Sequence, residues 1–178
     1  LELGGKSPNI IFSDGDLTKA IPGSMVAIFF NMGQACTAGS RLFIHKKIYD
    51  NVLADMSAAA KDMQVGMGLN ETTDIGPLVS DEQFKRVNCF LEEGHAAGAE
   101  TLIGGQPIDR SGYYIPPTIF ADVDREMSIS REEIFGPVLA ATPFEDEDDL
   151  TDIIRRANDT EYGLAAGVWT TDLSKAHR

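Results

Sequence analysis

The chain is poor in the residues that build disulfide frameworks and metal centres. It has two cysteines in 178 residues, Cys36 and Cys89, with no CxxC pair, and three scattered histidines, His45, His95 and His177. Neither a disulfide scaffold nor a metal site is suggested, and a reducing, cytoplasmic setting fits better than an oxidising one. Cations are scarce too. Fifteen Lys and Arg against 28 Asp and Glu leave a net charge of −13, which argues against nucleic acid or an anionic membrane surface as partner. The longest apolar stretches are too short to span a membrane, and the opening residues show no secretory pattern.

What is present is ordinary for a globular domain: 43% apolar and 24% charged residues, in a length that can bury a sizeable core. The acidic run Phe144-Glu145-Asp146-Glu147-Asp148-Asp149 reads as a solvated helix start. Residue 1 is Leu, in what looks like a strand running into a turn, and Asp172 to Arg178 looks like the first turns of a helix. Both ends therefore read as lying inside structure, and the chain is expected to be a segment of a longer protein.

Short apolar runs alternate with longer helical patterns. Asn9–Phe12, Leu42–Ile44, Thr101–Ile103, Thr118–Phe120, Pro137–Ala140 and Ala166–Trp169 read as strands. Asp16 to about Met32 reads as a helix capped by Asp16. Tyr49 to Val65 carries Val52, Leu53, Met56, Ala59, Ala60 and Met63 at helical spacing. Ser80 to Ala97 opens on a capping-box pattern, Ser80-Asp81-Glu82-Gln83, and Asp148 to Ala157 is a fourth helix. Gly104-Gly105-Gln106-Pro107 and Tyr114-Ile115-Pro116-Pro117 mark loops. The alternation predicts an α/β domain with a largely parallel sheet flanked by helices.

Cys36 lies in Gly33-Gln34-Ala35-Cys36-Thr37-Ala38-Gly39-Ser40-Arg41, between a helix ending near Asn31-Met32-Gly33 and a strand beginning near Arg41. A Gly-bounded loop on a rigid scaffold suits a nucleophile, and nearby backbone N–H groups can stabilise charge on what a thiolate attacks. A buried structural cysteine is the competing reading. Cys89, in mid-helix without glycine neighbours, reads as structural.

Three segments carry a family resemblance. Leu1-Glu2-Leu3-Gly4-Gly5-Lys6-Ser7-Pro8, Gly33-Gln34-Ala35-Cys36 and Glu133-Ile134-Phe135-Gly136-Pro137 resemble, in order and in spacing, three signatures of the aldehyde dehydrogenase superfamily. Glu2 precedes Cys36 by 34 residues, and Cys36 precedes Glu133 by 97. Asn158 followed by Tyr162-Gly163-Leu164-Ala165-Ala166 resembles a fourth. The resemblance implies NAD- or NADP-dependent oxidation of a small-molecule aldehyde to an acid. In it, Cys36 would be the nucleophile and Glu2 the base that activates water. Glu133 would accept hydrogen bonds from the nicotinamide ribose, Phe135 would pack near that end of the cofactor, and Gly33 and Asn158 would be structural. It also implies that residues 1–178 are a partial catalytic domain, lacking most of the cofactor-binding and oligomerisation regions. The parent is then expected to be a homo-oligomer, dimer or tetramer, and the segment alone to be inactive. Lys6 lies in the first motif with no chemistry assigned.

Three alternatives are weaker. A coenzyme-A acceptor would leave a water-activating Glu2 without purpose. A non-catalytic scaffold needs none of Cys36, Glu2, Glu133 and Phe135. A thiol hydrolase wants a partner histidine, and only His45 is near. The run Ile28-Phe29-Phe30 hints at an apolar or aromatic aldehyde, although core packing explains it as well.

Overall fold

The computed structural model describes residues 3–145 and 149–178. Among them one sheet forms from β1 (Pro8–Ile11), β2 (Arg41–His45), β3 (Glu100–Ile103), β4 (Thr118–Ala121), β5 (Val138–Phe144) and β6 (Gly167–Trp169), in the spatial order β3-β4-β5-β2-β1-β6. Every neighbouring pair is parallel except β3–β4. The α/β architecture expected from the pattern is the one that forms, with one antiparallel strand at an edge. Each expected strand falls on one of these six.

Alternation along the strands divides the core. Leu42 and Ile44 of β2, Ile119 and Ala121 of β4, and Leu139 and Ala141 of β5 face α1 (Leu17–Phe29) and α2 (Tyr49–Asp62). Phe120, Val138 and Ala140 face the opposite way, against α3 (Asp81–Ala96) and the short α4 (Ser128–Arg131). Phe43 and Phe144 share that side with Ile153 of α5 (Thr151–Asn158). Strands buried on both faces need apolar residues at successive positions, which is why they read as continuous runs.

Helix boundaries follow local chemistry. Asp16 caps α1, its carboxylate accepting from Thr18 N at 3.1 Å. The helix stops at Phe29, short of Met32, because Asn31, Met32 and Gly33 all take positive φ (49°, 56° and 68°) in a tight reverse turn. In α2 the face Val52, Leu53, Met56 and Ala60 is buried as expected, but Ala59 is exposed. Val65 lies past the helix end and bridges to Ile75 instead. Ser80 caps α3 through Gln83 N at 3.1 Å. The Gln83 side chain does not complete the reciprocal half of the capping box; it donates elsewhere, as described below. Of the acidic run, residues 146–148 lie outside the described residues. Asp149 is exposed and accepts from Thr151 N at 3.0 Å, at the entry to α5.

One carboxylate fastens the sheet edge. Asp14, in the turn after β1, accepts from Thr170 Oγ1 (2.8 Å), Thr171 N and Oγ1 (both 2.9 Å) and Asp172 N (3.1 Å). This ties the turn to the segment between β6 and α6 (Leu173–Ala176). Burial alone would push Asp14 upward, but the hydrogen bonds from Thr170 and Thr171 outweigh it and hold the carboxyl at about 2. A depressed folded-state value means that the stabilisation is present above the ordinary value of 3.8 and lost as pH falls toward 2. Asp14→Ala is expected to cost about 1–3 kcal/mol at neutral pH, and clearly less near the acid end of that window. Thermal unfolding of both proteins across that range checks it; a cost independent of pH would show that the carboxylate charge is not what holds the edge.

Candidate active site

The four segments singled out in the sequence share a position in the topology: each immediately precedes a parallel strand. Leu3–Gly5 leads into β1, Gln34–Ser40 into β2, Glu133–Pro137 into β5, and Tyr162–Ala166 into β6. These strands are consecutive neighbours in the sheet, in the order β5-β2-β1-β6. Parallel pairing puts their amino ends on one edge. With neighbouring strands about 4.8 Å apart, segments separated by 128 residues, such as Gly5 and Glu133, are gathered within roughly 15 Å.

Gly4 and Gly5 are where they touch. A β-carbon on Gly5 would overlap the backbone carbonyl of Cys36, and Leu164 Cδ2 would lie 3.5 Å from it. Gly4 has φ +71°, and a β-carbon there would meet Glu133 Oε2 at 2.6 Å and Tyr162 Cε1 at 3.1 Å. Gly5 N donates to Glu133 Oε1 at 2.8 Å. Gly33, also at positive φ, is closed over by the Gly136 carbonyl. Cys36 and Glu133 therefore flank two consecutive residues, whose α-carbons are about 3.8 Å apart.

Cys36 itself is half-buried. It sits in a turn closed by Ala38 N donating to Ala35 O at 3.0 Å, and the next residue is fastened to α1 by Gly39 N donating to Ala27 O at 2.9 Å. Among the described residues nothing accepts from the N–H of Cys36 or of Thr37. The left-handed turn at residues 31–33 aims this loop. Met32, which is neither Gly nor Asn, bears about 1–2 kcal/mol of strain in it.

On the opposite side, α3 grips the Glu133 segment by its backbone. Gln83 Nε2 donates to the carbonyls of Ile134 (3.0 Å) and Phe135 (2.8 Å), and Arg86 to that of Glu133 (2.7 Å). Ile134 is buried in the core while Phe135, at φ +59°, stays half-buried. Glu133 turns to Gly5, whereas Glu132 is exposed and lines a broad polar cavity of about 740 Å³ with Glu126, Arg131, Asp159 and Tyr162. That cavity holds charges of both signs and no cysteine, so the glycine junction is the better candidate for thiol chemistry. Glu2 lies outside the described residues.

The sequence profile of the aldehyde dehydrogenase family matches residues 1–178. The chain belongs to the aldehyde dehydrogenase family. DhaS of Bacillus subtilis (strain 168), which carries an aldehyde dehydrogenase name, is 51% identical over 177 residues, covering 99% of this chain and 35% of that protein. The betaine aldehyde dehydrogenase of Rhizobium leguminosarum bv. trifolii (strain WSM2304) is 47% identical over 181 residues, covering 100% of this chain and 37% of that protein. The NAD+ complex of the Bacillus cereus aldehyde dehydrogenase superposes with a TM-score of 0.95 at 46% identity, over 99% of this chain and 35% of that one. The chain thus spans about 35% of the length of the relatives it matches.

Within this aldehyde dehydrogenase segment some expectations are corrected. Cys89 is in mid-helix, but it is exposed rather than packed, and donates to Glu93 Oε1 at 3.5 Å; that hydrogen bond, with the charge behind it, raises its thiol above the ordinary value. His45 is at the far end of β2 from Cys36, buried with its ring edge-on to Phe144. Of the apolar run, Ile28 and Phe29 are core, and only Phe30, 71% exposed, is free to meet a ligand. Asn158 is exposed and donates to the Ile154 carbonyl of its own helix at 2.8 Å. The grip of Gln83 and the burial of Lys6 had no signal in composition or periodicity, although Lys6 stood inside a recognised motif.

Gly5→Ala is expected to cost at least about 1–3 kcal/mol and to slow alkylation of Cys36 by iodoacetamide, because the new methyl must push the Cys36 carbonyl away. Gly163→Ala meets nothing within 4 Å and is the control. Melting temperatures and mass-spectrometric labelling of the two variants in the full-length protein test this; equal behaviour would show that the Gly5–Cys36 approach can relax.

Proposed function

We propose that the chain is the nucleophile-bearing part of an NAD(P)-dependent aldehyde dehydrogenase that oxidises an aldehyde to a carboxylic acid. The observation that carries this reading is the seating of Cys36 and Glu133 on consecutive glycines. Residues 1–178 would be a partial catalytic domain, and most of the cofactor-binding and oligomerisation regions of a homo-oligomeric parent would lie elsewhere in it.

Cys36, as thiolate, attacks the aldehyde carbonyl carbon and forms a carbon–sulfur bond. The carbonyl oxygen becomes an oxyanion, which the Cys36 N–H stabilises. NAD(P)+, when bound, supplies the acceptor for the hydride that leaves this carbon. A thioester on Cys36 remains. Glu2 then takes a proton from water, the hydroxide attacks the thioester carbon, and the Cys36 thiolate leaves, releasing the acid.

The residues present suit the nicotinamide end of such a cofactor. Glu133 has one oxygen on Gly5 N–H and keeps its other lone pairs for ribose hydroxyls. Phe135, held by its carbonyl and half-buried, offers a ring edge or face at the same end. NAD+ complexes among the structural relatives favour NAD over NADP. Betaine aldehyde is the substrate named for several relatives, while the exposed Phe30 ring suits an apolar or cationic aldehyde group.

In the full-length protein, Cys36→Ala should lower turnover by about 10⁴-fold or more while cofactor still binds. Glu2→Gln should instead retain a burst of reduced cofactor and stall at the thioester. Stopped-flow absorbance with an aldehyde and NAD reads both. Turnover of the Ala variant near the parental rate would remove Cys36 from this role, and a lost burst in the Gln variant would place Glu2 before hydride transfer.

A further inference from the structure

Lys6 directly follows the glycine pair, and it is the most unusual charge in the chain. It is 1% exposed, and its Nζ has no hydrogen-bond partner among the described residues. An amine in this position is costly to keep charged, since burial removes water and nothing replaces it. The charged groups acting on it come from two neighbouring elements. Arg41, at the start of β2, opposes the ammonium form, while Glu133 and Glu132, ahead of β5, favour it. Arg41 is itself buried, but its guanidinium donates to the carbonyls of Lys6 (2.9 Å), Arg156 (3.1 Å) and Ala157 (2.7 Å). It is therefore committed to the backbone and does not compete for Glu133. Burial above all, followed by Arg41, brings the Lys6 amine down to about 7 in spite of the two carboxylates.

Of the two carboxylates, Glu133 acts the more strongly on Lys6. Its carboxylate lies over Gly4 and is bonded to Gly5 N–H, on the residues just before Lys6. Glu132 is exposed and screened. The only hydrogen bond fixing the Glu133 carboxylate among the described residues is the one from Gly5. A second restraint on it can be electrostatic, and the buried Lys6 amine, on which the Glu133 charge acts without an ion pair or hydrogen bond between them among the described residues, is the group to supply one.

We propose that Lys6 is a positioning residue that acts through Glu133: as ammonium it keeps the Glu133 carboxylate seated on the Gly4–Gly5 turn, and as free amine it lets go. The proposal rests on Glu133 holding the cofactor ribose. Its consequence is a pH step in cofactor affinity, tight where Lys6 is charged and weaker where it is neutral. A coupling of half to one pK unit corresponds to a change in dissociation constant of about three- to tenfold. By reciprocity, bound cofactor makes Lys6 harder to deprotonate by the same factor.

The test is the dissociation constant of NADH, read by its fluorescence in the full-length protein at about pH 6 and about pH 8.5, which bracket the Lys6 transition. Wild type should weaken about three- to tenfold between the two. Lys6→Met and Glu133→Gln should each bind weakly at both, with no step. A step that survives in Lys6→Met, or a wild type with no step although Glu133→Gln weakens binding, overturns the role of Lys6 and leaves that of Glu133 standing. Unchanged affinity in Glu133→Gln removes the ribose contact itself, and this inference with it. Should Lys6→Met fail to fold, the comparison of wild type with Glu133→Gln decides, because the step must vanish with the carboxylate.

Discussion

Everything at the site depends on two consecutive residues without side chains. The sheet brings four segments to one edge, but parallel pairing only aligns strand entrances about 4.8 Å apart; it does not put a thiol loop against a carboxylate. That last approach happens because Gly5 has no β-carbon to fend off the Cys36 carbonyl, and because Gly4, at φ +71°, turns its bare face to Glu133 and Tyr162. The positive φ matters only at Gly4, whereas at Gly5 it is the missing volume that counts. Gly33 repeats the device from the other side, letting the Gly136 carbonyl in. The Cys36 loop thus meets Gly5 backbone to backbone, while Glu133 reaches Gly4 and Gly5 through its carboxylate. Reacting groups held in this way lose less entropy on reaching the transition state.

This edge is the amino end of the parallel strands. Open α/β sheets usually bind ligands at the carboxyl ends, at a switch in strand order. Here the helices leave the carboxyl ends, and the amino ends are reached by irregular segments instead: the turn at 31–33, the stretch held by Gln83 and Arg86, and residues 159–166. Irregular backbone leaves N–H groups without a backbone acceptor, as at Cys36 and Thr37 among the described residues. It also needs fixing from outside, and Arg41 does that for two segments at once. Its three carbonyl acceptors join the start of β1 to the last turn of α5, where helix carbonyls lack partners. A buried guanidinium whose three nitrogens each reach a carbonyl is tolerable, while a buried amine matched to no described residue is costly. The contrast between Arg41 and Lys6, two residues close in space with opposite degrees of satisfaction, separates a structural charge from one whose cost has to be justified by what it does to a neighbour.

The strands were legible because a sheet covered on both faces demands unbroken apolar runs, and Leu42-Phe43-Ile44 or Val138-Leu139-Ala140 can hardly be read otherwise. Capping was legible where it is local, at Asp16 and Ser80. The pattern failed where long-range contacts override it. Gln83 fits a capping box in sequence, yet two carbonyls from residues 134 and 135 compete successfully for its amide. Asn31 and Met32 are compatible with helix, and only the demand for a reverse turn before Cys36 makes them left-handed. Ala59 fits the helical stripe of α2 but falls on its outer margin. The Gly-bounded loop marked Cys36 as a candidate, but the rest of the site was legible only through family resemblance. No periodicity relates Gly5 to Glu133, because the contact exists only once the order β5-β2-β1 has placed them together.

The two cysteines show why exposure is a poor guide to chemistry. Cys89 is the more accessible, yet it is the less suited to attack. A thiol facing a carboxylate holds its proton more tightly, and the Glu93 oxygen that accepts from Cys89 would repel the thiolate that remains. Cys36 is half-buried, but its own N–H and that of Thr37 have no acceptor among the described residues, in a turn that the rest of the fold has already fixed. Those donors do little for the resting thiol. In the proposed reaction they would serve the oxygen of the aldehyde that the sulfur attacks, at the moment when charge appears there. The difference between the two residues therefore lies less in the sulfur than in what surrounds the atom two bonds beyond it, and that surrounding is a property of the glycine junction, not of the cysteine.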